Sequence, residues 1–392
     1  VSLAAQVRWK QAVLNRVAAC GIAALAEPDN RNTQEVVTMA IDFQTGPYEE
    51  PTASAMRNKM RIPARVAHLS RQALRGLARG LGVLFALISS LALIGVTFEA
   101  LSAQGDAKAY PPPGRLVDVG GYRLHIQCLG TGSPTVVLDA GLGGMSHDWN
   151  LVQAEIAQTT QVCAYDRAGM GWSDVGPLPR TPDQIARELH TLLTKAGIAG
   201  PYVLVGHSLG GKNVRLFARQ HPEQVAGMVL VDARSEVADS HTSPAEAQAF
   251  QRAMRDQSIL YGVLRRLGLV RLFGANVAGM PTMPKATRME MALFATGQRG
   301  RETTLAEALE RATDDAQLQT APSLRDRPLI VLASGQNMEM LPSWPEAQRQ
   351  QAALSTEGHL IIAEGSGHSI HWEQPALVID AVRQVVEQVR GD

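Results

Sequence analysis

The chain has 392 residues, and its 37 basic and 37 acidic side chains cancel to a formal net charge of zero. No basic stripe follows the apolar segment near residue 90, so nucleic-acid binding is not an expected role. No His, Cys, Asp and Glu cluster has metal-ligand spacing, so neither a metal nor another cofactor is expected.

Residues 1–79 read as a poorly structured, basic N-terminal segment. The first 26 residues are compatible with helix, and Glu27 to Ala55 is polar, contains proline and is expected to be disordered. The chain opens with Val1, and Met56 and Met60 stand just before the basic stretch. Residues 1–55 are therefore read as a start-site artefact. Residues 80–98 carry no charge. As a helix rising about 1.5 Å per residue they match a hydrocarbon core about 30 Å thick. Arg57, Lys59, Arg61, Arg65, Arg71, Arg75 and Arg79 precede this run, whereas Glu99 and Asp106 follow it. That asymmetry predicts a cytoplasmic N-terminus with the rest of the chain extracytoplasmic, in the periplasm or outside the cell. A signal peptide cleaved near Ala100-Leu101-Ser102 would give a secreted protein instead. The apolar run exceeds a usual signal core, which favours a retained anchor. Residues 99–113 read as a linker, with Tyr110-Pro111-Pro112-Pro113-Gly114 as a stiff spacer.

Residues 114–392 form the next unit, ample in length for one core. Arg115 to Val119 and Tyr122 to Ile126 flank Gly120-Gly121, a β-hairpin signal. Six apolar runs then alternate with helical stretches, which predicts right-handed crossovers and a mostly parallel sheet covered on both faces. The run Tyr202-Val203-Leu204-Val205 leads into Gly206-His207-Ser208-Leu209-Gly210, and a helical stretch follows. Strand, sharp turn and helix in that order hold a serine up at the end of a strand. Flanking glycines permit the strained turn. The helix behind directs N–H groups and a positive dipole end at an oxyanion. A serine alcohol needs a base. His368, in the loop Gly365-Ser366-Gly367-His368 after the last apolar run His359 to Ala363, is the candidate.

The ordered set of motifs resembles the α/β-hydrolase superfamily, in its serine esterase-like branch, from about Gly114 to about Val389. Gly206 to Gly210 resembles the nucleophile elbow. Val136 to Gly144 resembles the oxyanion loop after the third strand. Ala164 to Ser173 is similar to the turn after the fourth strand, and Gly367-His368 with Pro375 to the histidine loop. The resemblance implies an α/β-hydrolase fold: a mostly parallel eight-stranded sheet flanked by helices, with a helical lid inserted after strand 6 at about 235–325. It implies Ser208 as nucleophile, His368 as base, and the N–H groups of Leu142 and Leu209 as the oxyanion hole. Ala140-Gly141 stands where the family commonly has His-Gly, which leaves a backbone donor intact. The usual acid position after the seventh strand holds Asn337 or Met338. Asp232, at the end of the sixth strand, is the expected acid. Glu339 competes for that role, and an asparagine-assisted dyad is a third arrangement.

Other residues receive plainer readings. His207 packs at the elbow, and His371 lies behind the site or at the surface. Asp166 and Arg167 hold their loop together by an ion pair. His147 and Asp148, beside Ser146, cannot form a triad as consecutive residues and instead line or cap the helix after the oxyanion loop. Cys128 and Cys163 fall on strands that the resemblance makes neighbours. A buried free thiol is the ordinary state there, and a disulfide is the alternative. The inserted segment, with Phe250, Met254, Met289 and Phe294, would roof an apolar acyl or alcohol pocket. The implied function is hydrolysis of a small-molecule carboxylic ester through an acyl-enzyme. The same machinery could serve an amidase, an aminopeptidase or a perhydrolase. A non-catalytic binding protein on the same scaffold is the reading from another class.

Overall fold

The computed structural model describes residues 64–318 and 323–391. Residues 1–55, Met56, Met60, Arg57 to Arg61 and Cys20 lie outside the described residues. The described residues fall into two units, one ending at Leu93 and one beginning at Ile94. Helix α1, Ala64–Ala103, runs through the boundary. Its portion Ala73–Ala103 is long and apolar enough to cross a membrane, and side chains such as Leu84, Phe85 and Leu91 are exposed.

From residue 115 onward, eight strands form one sheet. They are β1 Arg115–Asp118, β2 Arg123–Leu129, β3 Thr135–Asp139 and β4 Val162–Tyr165, then β5 Tyr202–His207, β6 Val225–Val231, β7 Leu329–Ser334 and β8 Gly358–Ala363. Their spatial order is β1-β2-β4-β3-β5-β6-β7-β8. β1 with β2 and β2 with β4 are antiparallel, and the remaining pairs are parallel. The hairpin turn between β1 and β2 forms as expected, with Asp118 Oδ1 accepting the Gly120 and Gly121 N–H groups.

The central strands read as continuous apolar runs because both faces are covered. Val137, Leu204, Met228, Leu230 and Val331 join one core, packed under Leu189, Val214 and Phe217. Their neighbours Val136, Val203, Val205, Val229 and Leu332 join a second core on the opposite face, with Trp149, Val378 and Val382. Helices α2 (Pro182–Lys195) and α3 (Leu209–Gln220) cover the first face. Thr181 caps α2 by accepting the Gln184 N–H, and Pro182 stands where no intrahelical donor is needed.

Between β6 and β7 the chain inserts helices, including α4 Pro244–Arg266, α5 Leu269–Phe273, α6 Lys285–Thr296 and α7 Gln298–Leu309. A capping box of Ser243 and Glu246 starts α4. Helices α8 (Trp344–Ala352) and α9 (Pro375–Arg390) complete the sheet flanks.

Two features differ from the expectations. Residues 99–113, expected as a linker and spacer, are held to the inserted helices. Glu99 and Asp106 pair with Arg265 and Arg271, Tyr110 packs against the cluster around Val270 and Leu293, and Trp172 Nε1 donates to the Tyr110 carbonyl at 2.9 Å. Cys128 and Cys163 are joined in a disulfide. They stand directly opposite each other across the antiparallel pair β2 and β4, with Cα atoms 4.0 Å apart.

Candidate active site

The carboxyl ends of β5, β6 and β7 and the loop after β8 meet at one edge of the sheet, where α/β folds keep their ligand crevice. β5 ends in His207, and α3 begins at Leu209. Ser208 between them has φ 51° and ψ −114°, a conformation that L side chains rarely adopt. The turn is tight enough to dictate its neighbours. A Cβ on Gly206 would sit 2.6 Å from the Gly210 carbonyl group, and one on Gly210 would sit 2.3 Å from the Asp139 carbonyl oxygen. The turn is held by the Ser208 N–H donating to Val231 O at 3.2 Å. The Ser208 carbonyl accepts from Gly211 and Arg234, each at 3.1 Å.

Asp232 follows β6 with φ 43°, and its N–H donates to Leu332 O at 2.7 Å. Its carboxylate is fully buried. Oδ1 accepts from the Ser334 N–H at 2.9 Å and from Trp344 Nε1 at 2.7 Å. Oδ2 accepts from Asn337 Nδ2 at 2.6 Å and from His368 Nδ1 at 2.6 Å. Burial alone would raise its pKa, but the hydrogen bond and charge of His368, with the Ser334 and Trp344 donors, hold it below the usual value. Because a carboxylate only accepts, His368 carries its proton on Nδ1, and Nε2 of the neutral ring is a bare acceptor. The structure thus brings His368 to Asp232. Glu339 is exposed, two residues beyond Asn337. Asn337, at the position where the resemblance led to the expectation of an acid, donates to Asp232.

His368 lies beside the serine turn. Its carbonyl accepts from His207 Nε2 at 3.0 Å, and the two rings stand 4.7 Å apart. Burial, then the neighbouring His368, lowers the His207 pKa to about 3, so the ring is neutral. His371 is fully buried, contrary to a surface position. It packs 4.4 Å from the His207 ring and 4.9 Å from Trp149. Burial, with His207 and His368 nearby, holds its pKa well below the ordinary value.

The loop Ala140-Gly141-Leu142-Gly143-Gly144 follows β3 and turns back through a Gly144 N–H to Gly141 O bond of 2.9 Å. A Cβ at Gly141 would stand 3.2 Å from Ser208 Cβ and 2.8 Å from the His207 ring, so this loop lies against the serine turn. Leu142 packs with Phe250, Met254, Leu305 and Ala308 of the insertion. Leu209 is buried at the start of α3. His147 and Asp148 fall in a short helical turn, Ser146–Trp149. Asp148 accepts the Met145 N–H at 3.3 Å, and His147 Nε2 pairs with Glu290 at 2.5 Å.

Asp166 and Arg167 do not pair with each other; as neighbours in an extended turn they reach different partners. Asp166 accepts from the Ser146 and Trp172 N–H groups at 2.7 and 3.0 Å and lies 2.9 Å from His125 Nδ1. Burial would raise its pKa, yet His125 and the two backbone donors bring it down to about 2. Buried Arg167 donates to Asp139 Oδ1 at 2.8 Å and to the Ala140 and Gly141 carbonyls at 2.7 Å each. On its other side it holds Glu307 of α7 at 2.8 and 3.0 Å. One guanidinium therefore ties the Ala140–Gly144 loop to the insertion. Sequence reasoning missed Trp344 and Glu307. Glu307 carries no motif; Asn337 had a signal, its place at the usual acid position.

An eight-stranded sheet with a strand–serine–helix turn and a His–Asp pair at its carboxyl edge defines an α/β hydrolase. The family model described as "Alpha/beta hydrolase family" matches residues 136–381, and the chain belongs to that family. It is 29% identical over 295 residues to an uncharacterised protein of Schizosaccharomyces pombe, a match covering 67% of this chain and 53% of that protein. The chain thus spans about half the length of that relative. A thermophilic esterase from Thermogutta terrifontis is similar in structure, with a TM-score of 0.54 and 23% identity over 70% of this chain and 98% of that one. The epoxide hydrolase CorEH is also similar, with a TM-score of 0.53 and 19% identity over 70% of this chain and 99% of that one. These structural likenesses concern the fold.

Proposed function

We propose that the chain is a serine hydrolase that cleaves carboxylic esters through an acyl-enzyme. The observation that carries this reading is the 2.6 Å hydrogen bond from His368 Nδ1 to Asp232, made beside the Ser208 turn. It leaves Nε2 as the ring's proton acceptor. Ser208 Oγ attacks the ester carbonyl carbon while its proton passes to His368 Nε2. Asp232 stabilises the imidazolium that forms. The oxyanion rests on the Leu142 and Leu209 N–H groups, each such donor being worth on the order of 3 kcal/mol in the transition state. The tetrahedral intermediate expels the alcohol, which takes the proton back from His368. A water, deprotonated by the same ring, then attacks the acyl carbon, and Ser208 Oγ leaves with the proton returned by His368 as the carboxylic acid is released. Serine at position 208 argues against epoxide-hydrolase or dehalogenase chemistry, whose nucleophile is a carboxylate.

The inserted helices act as a lid over an apolar pocket. The packing of Phe250 and Met254 against Leu142 supports that role and an apolar acyl or alcohol group. The uncharged run 80–98 anchors the chain in a membrane, and the basic residues before it favour an extracytoplasmic catalytic unit. The Cys128–Cys163 disulfide suits such an oxidising side.

A fluorophosphonate probe tests the assignment. The full chain is expected to take one label, lost in Ser208→Ala, and to hydrolyse nitrophenyl esters faster than matched amides. An intact chain that stays unlabelled and inert to every ester in a graded series would favour a non-catalytic binding protein.

A further inference from the structure

Glu99, the first charge after the uncharged run, is largely buried. Its Oε2 accepts from Arg271 Nε at 2.6 Å and its Oε1 from Arg265 Nε at 2.9 Å. Asp106 closes the cluster, accepting from Arg271 Nη1 at 2.9 Å and Nη2 at 2.7 Å. Two acids of the stem are thereby neutralised by two arginines of the insertion.

The contact reaches further along the stem than the charges do. A Cβ at Gly95 would lie 2.2 Å from the Leu267 carbonyl oxygen, and one at Gly268 would lie 3.2 Å from the Phe98 ring. Gly95 and Phe98 belong to the uncharged run itself. Four residues of helix separate Gly95 from Glu99, a rise of about 6 Å. The turn between α4 and α5 is thus level with Gly95 to Phe98, the last residues of the apolar run, and not only with the charges that end it. The same segment leaves Ile259, Val263, Leu272, Phe273 and Val277 exposed, four of them 59% or more. Large apolar side chains at that level are uncovered in water but not at the edge of a bilayer.

We propose that the segment Ile259–Val277 is a membrane-docking surface whose occupant is the outer face of the bilayer that holds the anchor. Apolar helix faces of this kind bury about 5–10 Å into the boundary between headgroups and acyl chains. The charge clamp fixes the segment at that depth while hiding the two carboxylates that would otherwise resist it. The inference rests on reading residues 80–98 as a membrane span. It does not depend on catalysis by Ser208. If esters are the substrates, α4 joins the two places, because its Phe250 and Met254 pack on Leu142 while its far end carries Ile259 and Val263.

The test places one bimane label per chain on the full-length protein, in a Cys20→Ser background that keeps the disulfide. The labelled variants are Phe273→Cys, Ile88→Cys within the span, and Glu346→Cys at an exposed position of α8 as the aqueous reference. Each is reconstituted in phosphatidylcholine vesicles with and without brominated acyl chains. Brominated lipid is expected to quench 273 and 88 several-fold more than 346. Quenching at 88 with none at 273 overturns the docking surface and leaves the span intact. No quenching at either position overturns the span and the surface with it. Energy transfer between donor- and acceptor-labelled 273, without lipid quenching, would show that a second copy covers the segment, and would also overturn the proposal.

Discussion

Among the described residues two histidines meet a buried aspartate, and the two pairs invite comparison. His368 and Asp232 meet at 2.6 Å at the edge of the sheet, and His125 and Asp166 meet at 2.9 Å within it. Both carboxylates are inaccessible, and both are held below the ordinary pKa range by their histidine and by backbone donors. The pairs differ in what lies on the far side of the ring. The His368 side chain is 26% exposed, whereas that of His125 is wholly covered. His368 stands beside the strained Ser208 turn; His125 packs at a tilt against Trp172, ring centroids 4.7 Å apart. His125 Nδ1, moreover, lacks the alignment of a hydrogen bond with its acid. The same imidazole–carboxylate pairing therefore occurs once in a wholly covered position and once where the proposed function needs a base. Access to the ring, 26% at His368 beside the Ser208 turn and none at His125, separates the two.

The largest effect is expected on the outer pair. Asp232→Asn keeps the shape but lets His368 adopt the wrong tautomer, so kcat for ester hydrolysis should fall about 10⁴-fold, beyond what any loss of stability explains. Steady-state kinetics beside a thermal melt check this, and retention of near-full activity would break the distinction.

Asp166→Asn should act on stability and leave turnover nearly intact. The acid's pKa of about 2, against an ordinary 3.8, gives the folded state roughly 2 kcal/mol at neutral pH. Since the folded value is depressed, this contribution is complete above about pH 4 and is lost as pH falls through 2. Denaturant unfolding of both proteins should show the difference at pH 7 and its disappearance near pH 2. Ester turnover should stay within a few-fold.

The smallest effect is expected at His371, whose ring nitrogens have no hydrogen-bond partner among the described residues. His371→Phe removes buried polar atoms and should change stability by at most ~1 kcal/mol, in either direction. Turnover should be nearly unchanged, and a collapse would make His371 the base in place of His368.

Much of this arrangement was legible from the amino-acid order. The strands announce themselves as short apolar runs because both faces of the sheet are covered, so burial and sequence say the same thing. Ser208 and His368 stand in glycine-marked turns, where backbone geometry constrains residue choice locally. Asp232 was harder to read, since nothing nearby in sequence distinguishes a strand-end aspartate that serves a histidine 136 positions away from one that caps a helix. The His125–Asp166 pair and the Arg167 clamp were not legible at all. Their partners Asp139 and Glu307 lie far apart in the chain, and only the packed fold creates the need for charge compensation. The docking of residues 99–110 was hidden for the same reason, because a proline-rich stretch with two acids looks like a solvated tether until its arginines are known.

The Cys128–Cys163 bond has a bearing on events before the sheet exists. Its two sulfurs enclose a sequence separation of 35 residues, and that circle of chain contains β3, the Ala140–Gly144 loop and the turn of His147 and Asp148. In the chain-entropy view, tying off such a circle removes about 4 kcal/mol worth of freedom from the unfolded molecule. The restriction falls on the stretch that must settle against Ser208. An oxidised, unravelled chain therefore still carries the rim of its crevice as a leashed segment, already near the strand beside which it will lie.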